Sequence, residues 1–325
     1  MRQNQNRWKI AFAQATLFLV LAAGTGCSFK NPEGISSSAS ISPDDSLICY
    51  VNAKGENNSI YIVNRVGVKV GEIPVPNDEE PFNPVFSPDR KEILYLSGPK
   101  KSPNPESAIY LNDVKGPHFK RLTLDKEFIT EAVFSPDGKT IYFLSAGSYG
   151  HYSHVAQSHP HDFDVYSVDV TGNNPRQWTQ LKAYGLSNLA VSSDGSQLFF
   201  VQDGQDRSLV SLSVDGKAEP VTVMRDVWNA KVSPDNKVII FSQMKSGLGG
   251  LKYDLFRRDL RDQTVSGIKQ LTFLNSRAFG IQFFNQRPYV LFVQQTNWPN
   301  TSSPELQLKE INLDGSDLKQ ILLPK

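Results

Sequence analysis

Residues 134–145 read Phe-Ser-Pro-Asp-Gly-Lys-Thr-Ile-Tyr-Phe-Leu-Ser, a tight turn followed by a strand. In Ser135-Pro136-Asp137-Gly138 the serine hydroxyl is placed to bond backbone amides, and proline presets φ near −65° at the second position. Glycine at the fourth position tolerates a left-handed backbone, so the tetrapeptide fits a type I turn. An apolar strand, Glu131-Ala132-Val133-Phe134, enters the turn. A strand rich in β-branched and aromatic residues, Thr140 to Leu144, leaves it.

The same unit recurs along the chain. It reads ISPDDSLICYVN at 41–52, FSPDRKEILYLS at 86–97, VSSDGSQLFFVQ at 191–202 and VSPDNKVIIFSQ at 232–243. A sixth copy, FFNQRPYVLFVQ at 283–294, aligns without gaps but carries Gln286 in place of the aspartate. From Asp44 through Asp89, Asp137, Asp194 and Asp235 to Gln286 the spacings are 45, 48, 57, 41 and 51 residues. Each copy then supplies a third strand, at Ile60–Val63, Ile109–Asn112, Asp164–Val168, Leu209–Leu212, Asp254–Arg258 and Leu306–Ile311. Turns such as Asp215-Gly216 and Asp314-Gly315 lead to a fourth strand ending near Leu-Thr, as at Leu122-Thr123 and Leu271-Thr272. Four antiparallel strands repeated every 40–50 residues are the signature of a β-propeller. The sequence therefore predicts an all-β, six-bladed β-propeller of four-stranded antiparallel blades over residues 37–325, as one domain.

The repeat resembles the propeller of the TolB family, whose unit runs apolar-Ser-Pro-Asp-Gly, strand, strand, Leu-Thr. The similarity extends over the propeller part, without the α/β domain that precedes it in full TolB. It implies the fold and a place in the bacterial cell envelope more strongly than the TolB role itself. Related propellers also occur in prolyl oligopeptidases, which add a hydrolase domain; no Gly-x-Ser-x-Gly nucleophile elbow occurs in this chain.

Composition narrows the functional classes. Among 325 residues, 34 Lys and Arg stand against 33 Asp and Glu. No basic excess is available to neutralise phosphates, which removes the electrostatic case for nucleic acid. Two cysteines, Cys27 and Cys49, cannot build a disulfide framework. Residues 1–26 carry Arg2, Arg7 and Lys9 with no acid, then an apolar run from Ile10 to Ala23. That is the n-region and h-region pattern of a secretory signal, and the run is shorter than the roughly 20 residues of a spanning helix. It ends in Gly24-Thr25-Gly26-Cys27, which resembles a bacterial lipobox with Gly24 where Leu is usual. The resemblance implies lipidation at Cys27, a tether over 27–36, and a periplasmic protein that meets the membrane only through its lipid. Without Arg2, Arg7 and Lys9, 31 basic residues face 33 acidic ones, so the mature protein is nearly neutral.

Two features mark candidate sites. The segment Ala146–Asp162 lengthens the third unit and holds His151, His154, His159 and His161, four of the five histidines. Read as a loop, it offers imidazoles of the kind Zn, Cu or Ni favour, with Asp162 and Asp164 as further ligands or ring-orienting groups. The plainer reading is a polar surface loop, and a pH-sensitive contact patch is a third. No other cofactor is implied. The second feature emerges from aligning the repeats. Three residues before the apolar residue of each turn stand Ser38, Asn83, Glu131, Asn188, Asn229 and Gly280, among apolar neighbours such as Ala132, Val133, Leu189 and Ala190. Equal offsets in a ring give equal heights, so Asn83, Glu131, Asn188 and Asn229 should line one mouth of the central channel, away from the Ser-Pro-Asp turns. Either polar strand ends simply meet water there, or the ring grips a ligand.

The leading expectation is a non-enzymatic envelope scaffold that binds a protein, peptide or polysaccharide on its loop rim. Its alternative is a metal-dependent, polysaccharide lyase-like enzyme using the histidine-rich segment. The recurring aspartates Asp44, Asp89, Asp137, Asp194 and Asp235 are read as scaffold, and Trp228 and Trp298 as packing or loop cover.

Overall fold

The structure, a computed structural model, describes residues 34–54, 57–102, 105–116, 119–123, 127–151, 158–204, 206–216, 219–247, 250–261, 267–300 and 303–324. Cys27 and the signal-like segment therefore lie outside the described residues, as does His154. Every element named here is a β-strand, and no helix among the described residues is long and apolar enough to cross a membrane.

Strands β1 (Gly34–Ile41), β2 (Leu47–Lys54), β3 (Asn57–Asn64) and β4 (Lys69–Pro74) form the first antiparallel sheet in chain order. The second holds β5 (Glu79–Phe86), β6 (Glu92–Pro99), β7 (Ala108–Asp113) and β8 (Phe119–Arg121). The third holds β9 (Phe128–Phe134), β10 (Thr140–His151), β11 (Ser158–Asp169) and β12 (Arg176–Gln177). The fourth holds β13 (Leu186–Val191), β14 (Gln197–Gln202), β15 (Ser208–Ser213) and β16 (Val221–Arg225). The remaining strands are β17 (Trp228–Val232), β18 (Val238–Gly247), β19 (Gly250–Asp259), β20 (Ile268–Gln270), β21 (Arg277–Phe283), β22 (Tyr289–Gln295), β23 (Leu306–Asn312) and β24 (Lys319–Ile321). These eight belong to one sheet.

The all-β propeller expectation holds, and its blade count needs correction. Four sheets stand alone as four-stranded blades, not six, because the last eight strands are continuous. The join is narrow: a single parallel pairing of Tyr253 with Arg277 links β19 to β21. Apolar clusters lie between successive sheets, and one lies inside the long sheet. There Ile240, Leu255, Ala278, Ile281 and Phe292 pack together, so its two halves meet face to face. The first and last sheets share another cluster, in which Ile48 and Tyr50 meet Phe279, Leu291 and Leu308. Around the ring, β1, β5, β9, β13, β17 and β21 touch in succession and β21 returns to β1.

The repeated turn has the same bonding in five copies. The serine hydroxyl donates to the aspartate carboxylate, as from Ser135 Oγ to Asp137 Oδ1 at 2.6 Å, and accepts the Thr140 amide at 3.0 Å. Asp137 Oδ1 accepts the Lys139 amide at 3.1 Å. The fourth residue is left-handed in each copy, with φ of 61° at Asp45, 64° at Arg90, 70° at Gly138, 71° at Gly195 and 56° at Asn236. Such a φ favours Gly, Asn and Asp, which four of the five copies carry.

The sixth turn lacks its own aspartate and borrows one. Asp45, from the first unit, accepts the Asn285 amide on Oδ1 and the Gln286 amide on Oδ2, both at 2.7 Å.

Candidate functional site

The first strand of every repeat slips register against its neighbour. The slip falls between Phe82 and Val85 in β5, Ser187 and Ala190 in β13, Trp228 and Lys231 in β17, and Phe279 and Gln282 in β21. In β1 it falls between Ile35 and Ala39, and in β9 around Thr130. A bulge of this kind leaves one residue outside the ladder and often in a left-handed conformation. Asn83, Asn188, Asn229 and Gly280 occupy it, with φ of 47°, 59°, 48° and 63°. Their recurrence thus has a backbone cause: Asn and Gly tolerate that conformation best.

The structure brings Asn83, Glu131, Asn188 and Asn229 around one cavity of about 240 Å³, where Ser38 and Gly280 join them. Antiparallel pairing puts this end of the inner strands opposite the Ser-x-Asp turns, and the residues that bound it agree. They include His159, Pro160 and Phe163 of β11, with Asp203 and Arg207 from the connection between β14 and β15.

Much of the polar ring is engaged in stitching one inner strand to the next. Ser38 Oγ donates to Asn83 Oδ1 at 2.8 Å, and Asn83 Nδ2 donates to the Thr130 carbonyl at 2.7 Å. The Glu131 carboxylate accepts the Asn188 amide at 2.7 Å and the Leu189 amide at 2.8 Å. Asn229 Nδ2 donates to Ser242 Oγ at 3.0 Å. The Asn188 side-chain nitrogen, Nδ2, has no partner among the described residues.

Three cations at the cavity were not singled out by sequence reasoning. Lys231 Nζ donates to the Leu189 carbonyl. Burial pulls its pKa down, against the field of Glu131. A lysine stands here where the other copies have Ser40, Val85, Val133, Ala190 and Gln282, so it is the one charged residue at that position of the repeat. Arg207 pairs through Nε with Asp203 Oδ1 at 2.5 Å and lies over the Trp228 ring at 3.7 Å. Arg277 is 7% exposed and lines the same cavity. Its guanidinium stands 4.8 Å from the Phe279 ring centre and 5.3 Å from that of Trp298. Burial, with the like charge of Arg207, lowers its pKa to about 10, so it stays charged at neutral pH. Nothing in the repeat marks Arg277, because the equivalent positions hold Ile35, Glu80, Phe128, Gly185 and Asp226. Trp228 and Trp298, read as packing, bracket Tyr253 at 5.7 and 5.9 Å and so form an aromatic wall behind the two arginines.

The histidine segment is mostly strand and not loop. β10 runs on to His151 and β11 begins at Ser158, pairing residue by residue up to His151 with Ser158. Strand alternation then separates the candidate ligands. His159 and His161 share a face, their rings 5.8 Å apart, while His151 contacts Ser158 Oγ at 3.2 Å on the other. Asp162 Oδ2 lies 3.1 Å from His161 Nδ1. Asp164 is unavailable as a ligand, since it is buried and accepts from Thr179 Oγ1 at 2.7 Å and the Leu181 amide at 2.6 Å. Among the described residues no three His, Cys, Asp or Glu side chains converge as a metal site.

The sequence profile of the TolB beta propeller domain matches residues 30–249. No curated protein sequence matches the chain. A solved TolB from Acinetobacter baumannii superposes with a TM-score of 0.60 at 18% identity, over 86% of this chain and 61% of that one. A putative TolB from Agrobacterium tumefaciens gives 0.56 at 18% identity, over 78% and 83%. An oligogalacturonate lyase from Vibrio parahaemolyticus gives 0.56 at 15% identity, over 89% and 78%. This chain thus spans 61% of the length of the Acinetobacter protein.

Proposed function

Since the chain belongs to the TolB beta propeller domain family, we propose that it is a non-enzymatic binding scaffold of the bacterial cell envelope. Its ligand, an envelope protein, peptide or polysaccharide, enters the channel mouth. Counting the eight-stranded sheet as two blades, on the strength of the cluster between its halves, the ring has six blades and fills residues 37–325. The signal-like residues 1–26, lipidation at Cys27 and a short tether hold it at the periplasmic side of a membrane.

One observation carries the reading: the inner strands converge on a single cavity bounded by polar bulges, two arginines and a lysine. Ligand sites favour such concave places with a few convergent polar groups. The shared fold of TolB and oligogalacturonate lyase also leaves an enzyme reading, which makes it an outcome of the test.

The test is capture from solubilised envelopes on the full-length protein. Ser187→Trp fills the cavity from its wall, and Lys91→Glu alters the opposite rim. A specific partner retained by the wild type and Lys91→Glu, and lost by Ser187→Trp, is expected. Capture indifferent to Ser187→Trp would overturn the channel assignment, and cleavage of oligogalacturonate in the presence of divalent metal would overturn the non-enzymatic one. In the same cells Cys27→Ser should move the protein from the membrane to the soluble fraction.

A further inference from the structure

The polar residues around the channel divide into those already bonded and those not. Both amide ends of Asn83 are used, and each carboxylate oxygen of Glu131 accepts a backbone amide of β13. Arg207 has Asp203, and Lys231 has the Leu189 carbonyl and the field of Glu131. Arg277 is different. More than nine-tenths buried, it has no hydrogen bond and no ion pair from its guanidinium among the described residues.

What Arg277 does have are aromatic rings, Phe279 and Trp298. Rings interact with the face of a guanidinium and hold it in place. Its five N–H donors lie in the plane, at the edge, and rings do nothing for them. None of its guanidinium nitrogens is fully enclosed, so the donors open on the cavity, where a negatively charged acceptor can meet them edge-on. The formal charges lining the cavity give the sign it calls for. Arg207, Lys231 and Arg277 face Glu131 and Asp203, leaving one positive charge in excess. One positive charge and one planar fork match a planar monoanion that accepts two parallel hydrogen bonds. The Asn188 side-chain nitrogen at the same cavity is a further donor.

We propose that Arg277 is the recognition group of the channel and binds a carboxylate carried by the ligand. The assignment rests on the channel being the ligand site. It adds the chemistry of what enters: the ligand's acid group leads, and its remainder meets the apolar wall of Phe82, Phe163 and Phe279. A dianion such as phosphate would leave one negative charge uncompensated in the same space.

Calorimetric titration of the purified full chain in detergent tests this, with acetate, N-acetylglycine and inorganic phosphate as probes at constant ionic strength. Saturable millimolar binding of both carboxylates, at least tenfold tighter than phosphate, is expected. Arg277→Gln should weaken carboxylate binding at least tenfold. Arg277→Lys, which keeps the charge and loses the fork, should weaken it and narrow the preference over phosphate. Arg90→Gln, on the opposite rim, should bind as the wild type does. No saturable carboxylate binding, a phosphate affinity equal or higher, or an Arg277→Gln protein that binds unchanged would each overturn the assignment. If Arg277→Gln fails to fold by circular dichroism, Arg277→Lys decides: unaltered affinity and preference overturn the proposal, and loss of both supports it. Envelope capture separates this from the broader reading. Capture that persists without anion binding refutes the carboxylate site alone, whereas anion binding without any channel-dependent capture refutes the scaffold.

Discussion

Each Ser-x-Asp turn depends on one carboxylate oxygen that accepts both a serine hydroxyl and a backbone amide. At Asp137 the bond from Ser135, then that from the Lys139 amide, holds the carboxyl below its ordinary pKa. At Asp194, bonded in the same way by Ser192 and Ser196, the value falls to about 2. A carboxyl whose folded pKa is depressed stabilises the fold above its unfolded value near 4, and loses that contribution as pH falls through the folded value. Asp137→Ala should therefore cost about 1 kcal/mol at pH 6. The difference from wild type, measured by urea unfolding, should shrink steadily toward pH 2. A difference that stays constant across that range would show that the charged hydrogen bonds are not what the aspartate contributes. This residue's role was legible in sequence because Ser, Pro, Asp and Gly each have a distinct place in a turn. Arg277 was not, because its meaning lies in what surrounds it and no repeat marks it.

Among the elements, the innermost strands carry the main lesson. Aligned repeats put polar residues at one height, and the structure places Asn83, Glu131, Asn188 and Asn229 around one cavity. The bulge was not legible, since period-two patterning describes a regular strand and says nothing of a residue leaving the ladder. Three of the four positions are Asn for conformational reasons, whatever else they contact. Asn188 isolates that effect, because among the described residues its side chain makes a single long hydrogen bond, with Ser187 Oγ at 3.4 Å. Asn188→Gly should stay within about 0.5 kcal/mol of wild type, while Asn188→Ala should lose about 1 kcal/mol from forcing an ordinary side chain to φ near +59°. Thermal unfolding of the pair checks this, and an alanine variant as stable as the glycine variant would remove the backbone explanation. In the histidine segment a long spacing between turns predicts a loop, whereas the chain extends a hairpin whose alternation parts His151 from His159 and His161.

At the scale of the whole molecule, the weak point is the seam between the first and last sheets. Strands β1–β4 come from one end of the described chain and β21–β24 from the other, and no strand of one sheet is hydrogen-bonded into the other. Closure therefore rests on side chains: the apolar cluster joining Ile48 and Tyr50 to Phe279, Leu291 and Leu308, and the carboxylate of Asp45. That carboxylate is 4% exposed and serves two backbone amides that the sixth turn, without its own aspartate, leaves unsatisfied. Buried donors deprived of a charged acceptor are costly, about 1.5–3 kcal/mol for such a bond. Asp45→Asn keeps the tolerance for φ of 61° but removes the charge and one acceptor. It should lower stability by that amount, and hydrogen exchange should quicken first in β1, β21 and β22, ahead of the sheets across the ring. Asp137→Asn offers the contrast: its turn lies within one blade, so its faster exchange should remain local to β9 and β10. If Asp45→Asn exchanged like wild type along the seam, the closing role would pass from the carboxylate to the apolar cluster, and Leu291→Ala would then have to open the ring on its own.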